Sequence, residues 1–164
     1  MLKFKVCIAI SFLMAIIGGI VVVAEDKPEG TYLSPRTMSA CYIIGEEYGV
    51  CPELLMAIVE KESSGKKFAQ NGDCKGLMQI SVKWHKERME RLGVTDIFDE
   101  YSNILVGTDY LMELADEYGD IGIVLMAYNG DKRVEKAMNG ECDISHYAKW
   151  ILERSEELER AHGK

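Results

Sequence analysis

Basic side chains are scarce in this chain. Its 164 residues hold 19 lysines and arginines against 27 aspartates and glutamates, a formal net charge of −8. That balance argues against a nucleic-acid partner, which selects a basic face. It also leaves no polybasic patch for anionic lipid. Proline is rarer still: Pro28, Pro35 and Pro52 are all there is, so beyond residue 52 no proline interrupts a helix. There is no CxxC pair and no His–Cys spacing of a zinc finger, which removes the usual structural-zinc reading. No metal or other cofactor is expected. Internal repeats are missing, and no segment reads as a confident strand.

Charge of either sign is absent from Val6 to Ala24. Lys3 and Lys5 precede this run, and Glu25, Asp26 and Lys27 follow it. Residues 1–24 therefore read as an export signal. Either it is cleaved after the small residues near Ala24, or it is retained as an anchor, since 19 residues nearly suffice to span a bilayer. The lysines would stay inside, so both readings place residues 25–164 outside the cytoplasm, with membrane contact only through residues 6–24 if uncleaved. Cys41, Cys51, Cys74 and Cys142 are an even set in a compartment that permits disulfides, and disulfides are expected, with the pairing open.

Residues 25–35, "EDKPEGTYLSP", read as a linker. Residues 36–164 then read as one helical domain, long enough to bury a real core. Helices are expected from Arg36 to Tyr48, ending at Gly49; from Pro52 through "ELLMAIVEKES" to Gly65; over 82–92; from Asp99 or Ser102 to Tyr118, with Leu105, Tyr110, Leu111, Leu114 and Ala115 as the buried stripe; from Ile121 to Tyr128; over 131–138; and from Ser145 to Ala161. Residues 65–75 form a polar loop with a turn at Asn71-Gly72.

Within this frame Glu62 stands out. At helical spacing it shares a face with Leu55, Ile58 and Val59. A carboxyl held against apolar groups keeps its proton to higher pH and suits general-acid work near neutrality. Glu60 falls on another face and reads as exposed. "GLMQI", residues 76–80, sets Gln79 among apolar residues, where its amide needs partners. "AYNG", residues 127–130, ends a helix, and its Asn-Gly also suits a plain C-cap. His85, His146 and His162 have no ligand spacing and read as surface residues. The methionines read as core filler. Trp84 and Trp150 read as packing residues, with sugar stacking as the alternative.

The ordered set "EKESSG", "GLMQI", "NILVGTDYL" and "AYNG", with Tyr147 in "HYAKWIL", resembles the soluble-lytic-transglycosylase (SLT) catalytic domain of the lysozyme-like superfamily. The resemblance covers about residues 37–152. It departs where Asp131 follows Gly130, in place of a Gly-Pro-type continuation, and no cell-wall-binding repeat is recognisable. The resemblance implies a mainly α, lysozyme-like single domain that cleaves the MurNAc-β-1,4-GlcNAc bond of peptidoglycan without water, leaving 1,6-anhydro-MurNAc. Glu62 would be the one catalytic residue, and the sugar's acetamido group would replace a second carboxylate. Ser63 and Gln79 would bond substrate or hold Glu62. Met78 would wall the groove, Tyr128 and Asn129 would orient the sugars, and Tyr147 would hydrogen-bond Glu62. The expected partner is the glycan strand, with secretion or conjugation machinery as a possible second. The rival readings are a hydrolytic muramidase of goose-lysozyme type, which needs a water-activating carboxylate such as Asp73, and a non-catalytic glycan-binding protein.

Overall fold

A computed structural model describes residues 30–164. The expected signal or anchor, and residues 25–29 of the expected linker, lie outside this range. Seven helices and one small sheet make up the described part. Five of the seven helices begin where the sequence provides a start signal. Helix α1 (Pro35–Tyr48) has Ser34 as N-cap, whose hydroxyl accepts from the Thr37 N–H, and Gly49 in the left-handed conformation closes it. Helix α2 (Pro52–Ser63) opens on Pro52, where a missing N–H costs nothing. Its unbroken run Leu55–Val59 is fully buried. A helix apolar on every side belongs in the centre of a fold, and α2 packs against both α1 and the last helix, α7 (His146–Ala161).

Beyond α2 the chain turns through Ser64 and Gly65, both at positive φ. Residues 65–81 then depart from expectation. Strands β1 (Gln70–Asn71), β2 (Cys74–Lys75) and β3 (Ile80–Ser81) pair antiparallel in that order. The expected turn becomes a hairpin turn over Gly72-Asp73, with Gly72 at φ +58°. Two-residue strands have no period to read, so the sequence gives no strand signal.

Helix α3 is shorter than expected (Lys86–Arg91). Helix α4 (Glu100–Tyr118) is capped by Asp99, which accepts from the Ser102 N–H at 3.0 Å. Its buried side holds Asn103, Ile104, Val106, Gly107, Thr108, Leu111 and Leu114; Leu105, Tyr110 and Ala115 are only partly covered. Thr37 and Ser34 donate to the Glu100 carboxylate at 2.8 and 3.1 Å, tying the start of α1 to the start of α4. Helices α5 (Ile121–Tyr128) and α6 (Val134–Met138) lead to α7.

Several expectations meet a different structure. Glu60 is buried: Arg154 of α7 clamps it (Nε–Oε2 2.7 Å), and Thr31 donates to Oε1 at 2.7 Å. Residues 30–34, the end of the expected linker, supply that contact and bury Leu33, so they are packed on the domain. The His162 side chain is also largely covered; its Nδ1 pairs with the fully buried Glu53 at 2.8 Å. Among the described residues the four cysteines are free thiols, and no disulfide joins them. Burial pushes the Cys41 thiol well up, and burial with a bond to Glu53 pushes Cys51 to about 12.

Candidate active site

The site forms where the last turn of α2 meets the hairpin, α5 and the start of α7. Glu62 ends the apolar face of α2 and is half-buried. Burial raises its pKa; a hydrogen bond from Tyr147 and the charge of Lys61 partly offset this. The Tyr147 phenol donates directly to Glu62 Oε1. Burial and the neighbouring Glu62 charge raise the phenol's own pKa, so it stays a donor. Tyr128 lies near enough for the Glu62 charge to contribute to its raised pKa, after burial. Its hydroxyl donates to the Met78 carbonyl at 3.0 Å.

A buried amide sets the position of that carbonyl. Asn103 of α4 accepts from the Met78 N–H at 2.8 Å and donates to the carbonyls of Lys75 and Ile97 at 3.0 and 2.8 Å. Gly76 makes room for it: a side chain there would strike Asn103 Nδ2, and the backbone sits at φ +79°. Gly107 likewise admits Met78, whose sulfur would lie 2.5 Å from any added Cβ. Gln79, at φ +49°, closes this turn by donating Nε2 to the Gly76 carbonyl at 2.9 Å.

The sequence-selected residues separate accordingly. Glu62, Gln79, Tyr128 and Tyr147 come together. Asn129 is exposed at the end of α5, as its C-cap. Ser63 is buried, and its hydroxyl donates to Val59 of its own helix at 3.1 Å. Met78 is fully buried against Gly107, so its side chain is core, not groove wall.

A cleft of about 430 Å³ opens beside Tyr128, lined by Cys74, Gln79, Trp84, His85, Tyr110 and Tyr128 among others, with Glu62 behind this lining. The carboxylate on its lining is Glu113, tied to Arg88 at 2.7 Å. Asp73 is exposed in the hairpin turn. Among the described residues no group of acidic, histidine or cysteine side chains has the arrangement of a metal site.

The profile of the transglycosylase SLT domain matches residues 41–147, a span that runs from α1 through Tyr147 and takes in the whole site. The chain belongs to the transglycosylase SLT domain family. This SLT domain is 38% identical over 85 residues to the transglycosylase of Enterobacteria phage PRD1, covering 51% of this chain and 31% of that protein. It is 35% identical over 88 residues to the membrane-bound lytic murein transglycosylase F of Desulfosudis oleivorans, covering 53% and 18%. The chain thus spans under a third of the length of either relative. Its fold resembles the lytic transglycosylase Slt of Pseudomonas aeruginosa, solved as an inactive glutamate-to-glutamine mutant, with a TM-score of 0.64 at 19% identity over 74% of this chain and 24% of that one. At that identity the likeness speaks for the fold alone, and it agrees with the expected lysozyme-like helical domain.

Sequence reasoning gave no site role to Asn103, His85 or Cys74, and kept Trp84 at a sugar only as an alternative. Only Asn103 left a signal, as an amide on the apolar face of α4 whose partners are backbone groups far away in sequence.

Proposed function

We propose that this chain is a peptidoglycan lytic transglycosylase that acts outside the cytoplasm, cutting the MurNAc-β-1,4-GlcNAc bond with a single carboxyl group. The observation that carries this is the state of Glu62. It is partly desolvated, held protonated to higher pH than an ordinary carboxyl, and fixed by the Tyr147 hydroxyl.

The steps balance without water. Protonated Glu62 gives its proton to the glycosidic oxygen as the C1–O bond breaks. The 2-acetamido oxygen of the same sugar bonds to C1 and forms an oxazolinium. Glu62, now ionised, removes the proton of the C6 hydroxyl. The freed oxygen attacks C1, the oxazolinium opens, and the 1,6-anhydro ring closes. Glu62 ends protonated and ready for another cycle. Tyr147 supports the ionised stage, because its O–H bonds better to a carboxylate than to an acid. Tyr128, Gln79 and Asn129 hold the sugars. Ser63 and Met78 act from behind: Ser63 closes the last turn of α2, and the Met78 carbonyl holds the Tyr128 ring.

The nearby carboxylates fit a one-acid scheme. Glu60 is locked by Arg154 on another face, and Glu113 is neutralised by Arg88. The test is digestion of peptidoglycan by the full chain beside Glu62→Gln. Release that persists in the variant contradicts the assignment.

A further inference from the structure

Lys61 immediately precedes Glu62 in the last turn of α2 and is exposed. Its Nζ stands over the Trp150 ring, 4.6 Å from the centroid. That is the geometry of a cation–π contact, in which the ring face attracts the positive charge. Among the described residues no carboxylate forms an ion pair with Lys61. Trp150 follows Tyr147 by three residues in α7, so the two rings share a side of that helix. Helix α7 thus brings two groups to the end of α2: the Tyr147 phenol to Glu62, and the Trp150 indole to Lys61.

Titratable groups from three other elements also feel the Glu62 charge: Cys74 of β2, Tyr128 of α5 and Tyr147 of α7. Burial pushes each of them up, so all three keep their protons near neutral pH. Lys61 is the full charge in this set. Burial raises the Glu62 pKa, and the Tyr147 hydrogen bond and the Lys61 charge oppose it. A lysine at a helix end otherwise spreads its charge over the many rotamers of a flexible four-carbon stem. The indole gives the ammonium one preferred place.

We propose that Trp150 is a positioning residue: its indole face holds the Lys61 ammonium beside the Glu62–Tyr147 pair, where the held charge favours the ionised carboxyl that the second proton transfer requires. The clamp rests on the single-acid reading above and deepens it. Glu62 has two tasks that pull in opposite directions, first giving a proton and then taking one. A burial that served the first task alone would hold the proton too firmly for the second. The ammonium offsets part of that burial, and it acts through space, touching neither sugar nor carboxyl. Trp150 acts only through Lys61.

The experiment titrates Glu62 directly, by NMR of the full chain isotope-labelled at its glutamate carboxyls, with Glu62→Gln identifying the resonance by its loss. Lys61→Met keeps the stem and removes the charge, and it raises the Glu62 midpoint by about half a pH unit. Trp150→Ala raises it part of the way, and Trp150→Phe returns it towards the parent value. Adding Trp150→Ala to Lys61→Met moves it no further, because the indole has nothing left to hold. Salt at about 1 M, where the screening length is about 3 Å, raises the midpoint in the parent and leaves Lys61→Met unmoved. The alkaline limb of kcat/KM on glycan strands follows the midpoint in each variant. A chain that cuts strands while Lys61→Met leaves the midpoint in place, or while Trp150→Ala shifts it equally with and without Lys61, overturns the clamp and leaves the lytic reading intact. Midpoints that move as stated in a chain that releases nothing overturn the lytic reading and leave the clamp.

Discussion

The Tyr147 phenol donates to Glu62 Oε1, a bond that joins the first turn of α7 to the last turn of α2. It opposes the effect of burial, because a donor to a carboxylate favours the ionised form. In the proposed mechanism Glu62 must be protonated to start the reaction, so activity is expected to fall as pH rises through its pKa. Tyr147→Phe removes the donor, raises that pKa further and moves the alkaline limb of kcat/KM to higher pH. The maximum rate falls about tenfold as the carboxyl loses its fixed position. A pH–rate profile with an unmoved limb, or one moved to lower pH, counts against this role.

Glu62 also costs the fold stability. Its folded pKa lies above the unfolded value near 4.5, so between the two the native state binds more protons, and stability falls as pH rises through that window. Glutamine has no proton to lose. Glu62→Gln therefore melts higher than the parent above the folded pKa, and the gain vanishes below pH 4.5. Melting temperatures across pH measure it; a constant difference at every pH sinks the linkage.

The three hydrogen bonds of Asn103 hold the backbone from Lys75 to Met78, and through Met78 the Tyr128 ring. Asn103→Ala leaves buried backbone groups unpaired and costs about 3 kcal/mol. Denaturant unfolding reads the loss directly. Activity falls beyond the loss of folded protein, because the cleft floor shifts. A change under about 0.5 kcal/mol, the usual range for a surface substitution, contradicts the clamp.

Glu53, at the start of α2, is held at about 2: burial pushes its pKa up, but hydrogen bonds from His162, Lys164 and Cys51 outweigh that. Its stabilising contribution is complete above pH 4.5 and is lost as pH falls towards 2. His162→Ala removes one bond to this buried carboxylate and costs about 2 kcal/mol at neutral pH. It also flattens the acid branch of the stability curve, because the folded pKa climbs back towards the ordinary value. Equal acid slopes in the two proteins rule the linkage out.

The helix starts were legible because local groups make them: Ser34, Asp99 and Ser145 act through residues three positions on, and Pro52 through its own place in the first turn. Glu62 was legible because its apolar neighbours lie on its own helix. Glu60 and His162 were misread as exposed because their partners, Arg154 and Glu53, are 94 and 109 residues away. Ser63 and Met78 stand inside recognisable motifs, yet face the core. A motif marks a segment, and only packing decides which of its side chains reach the cleft. Trp84 shows the converse: local pattern suggests core, and the fold leaves it in solvent.

One measurement bears most directly on the central claim. The full chain and its Glu62→Gln variant each digest bacterial peptidoglycan, and mass spectrometry reads the released fragments. A single-acid transglycosylase releases fragments ending in 1,6-anhydro-MurNAc, lighter by one water than hydrolysed ends, and the variant loses about a thousandfold of that release. Reducing-end fragments from the parent chain contradict the account, and place a water-activating carboxylate beside Glu62.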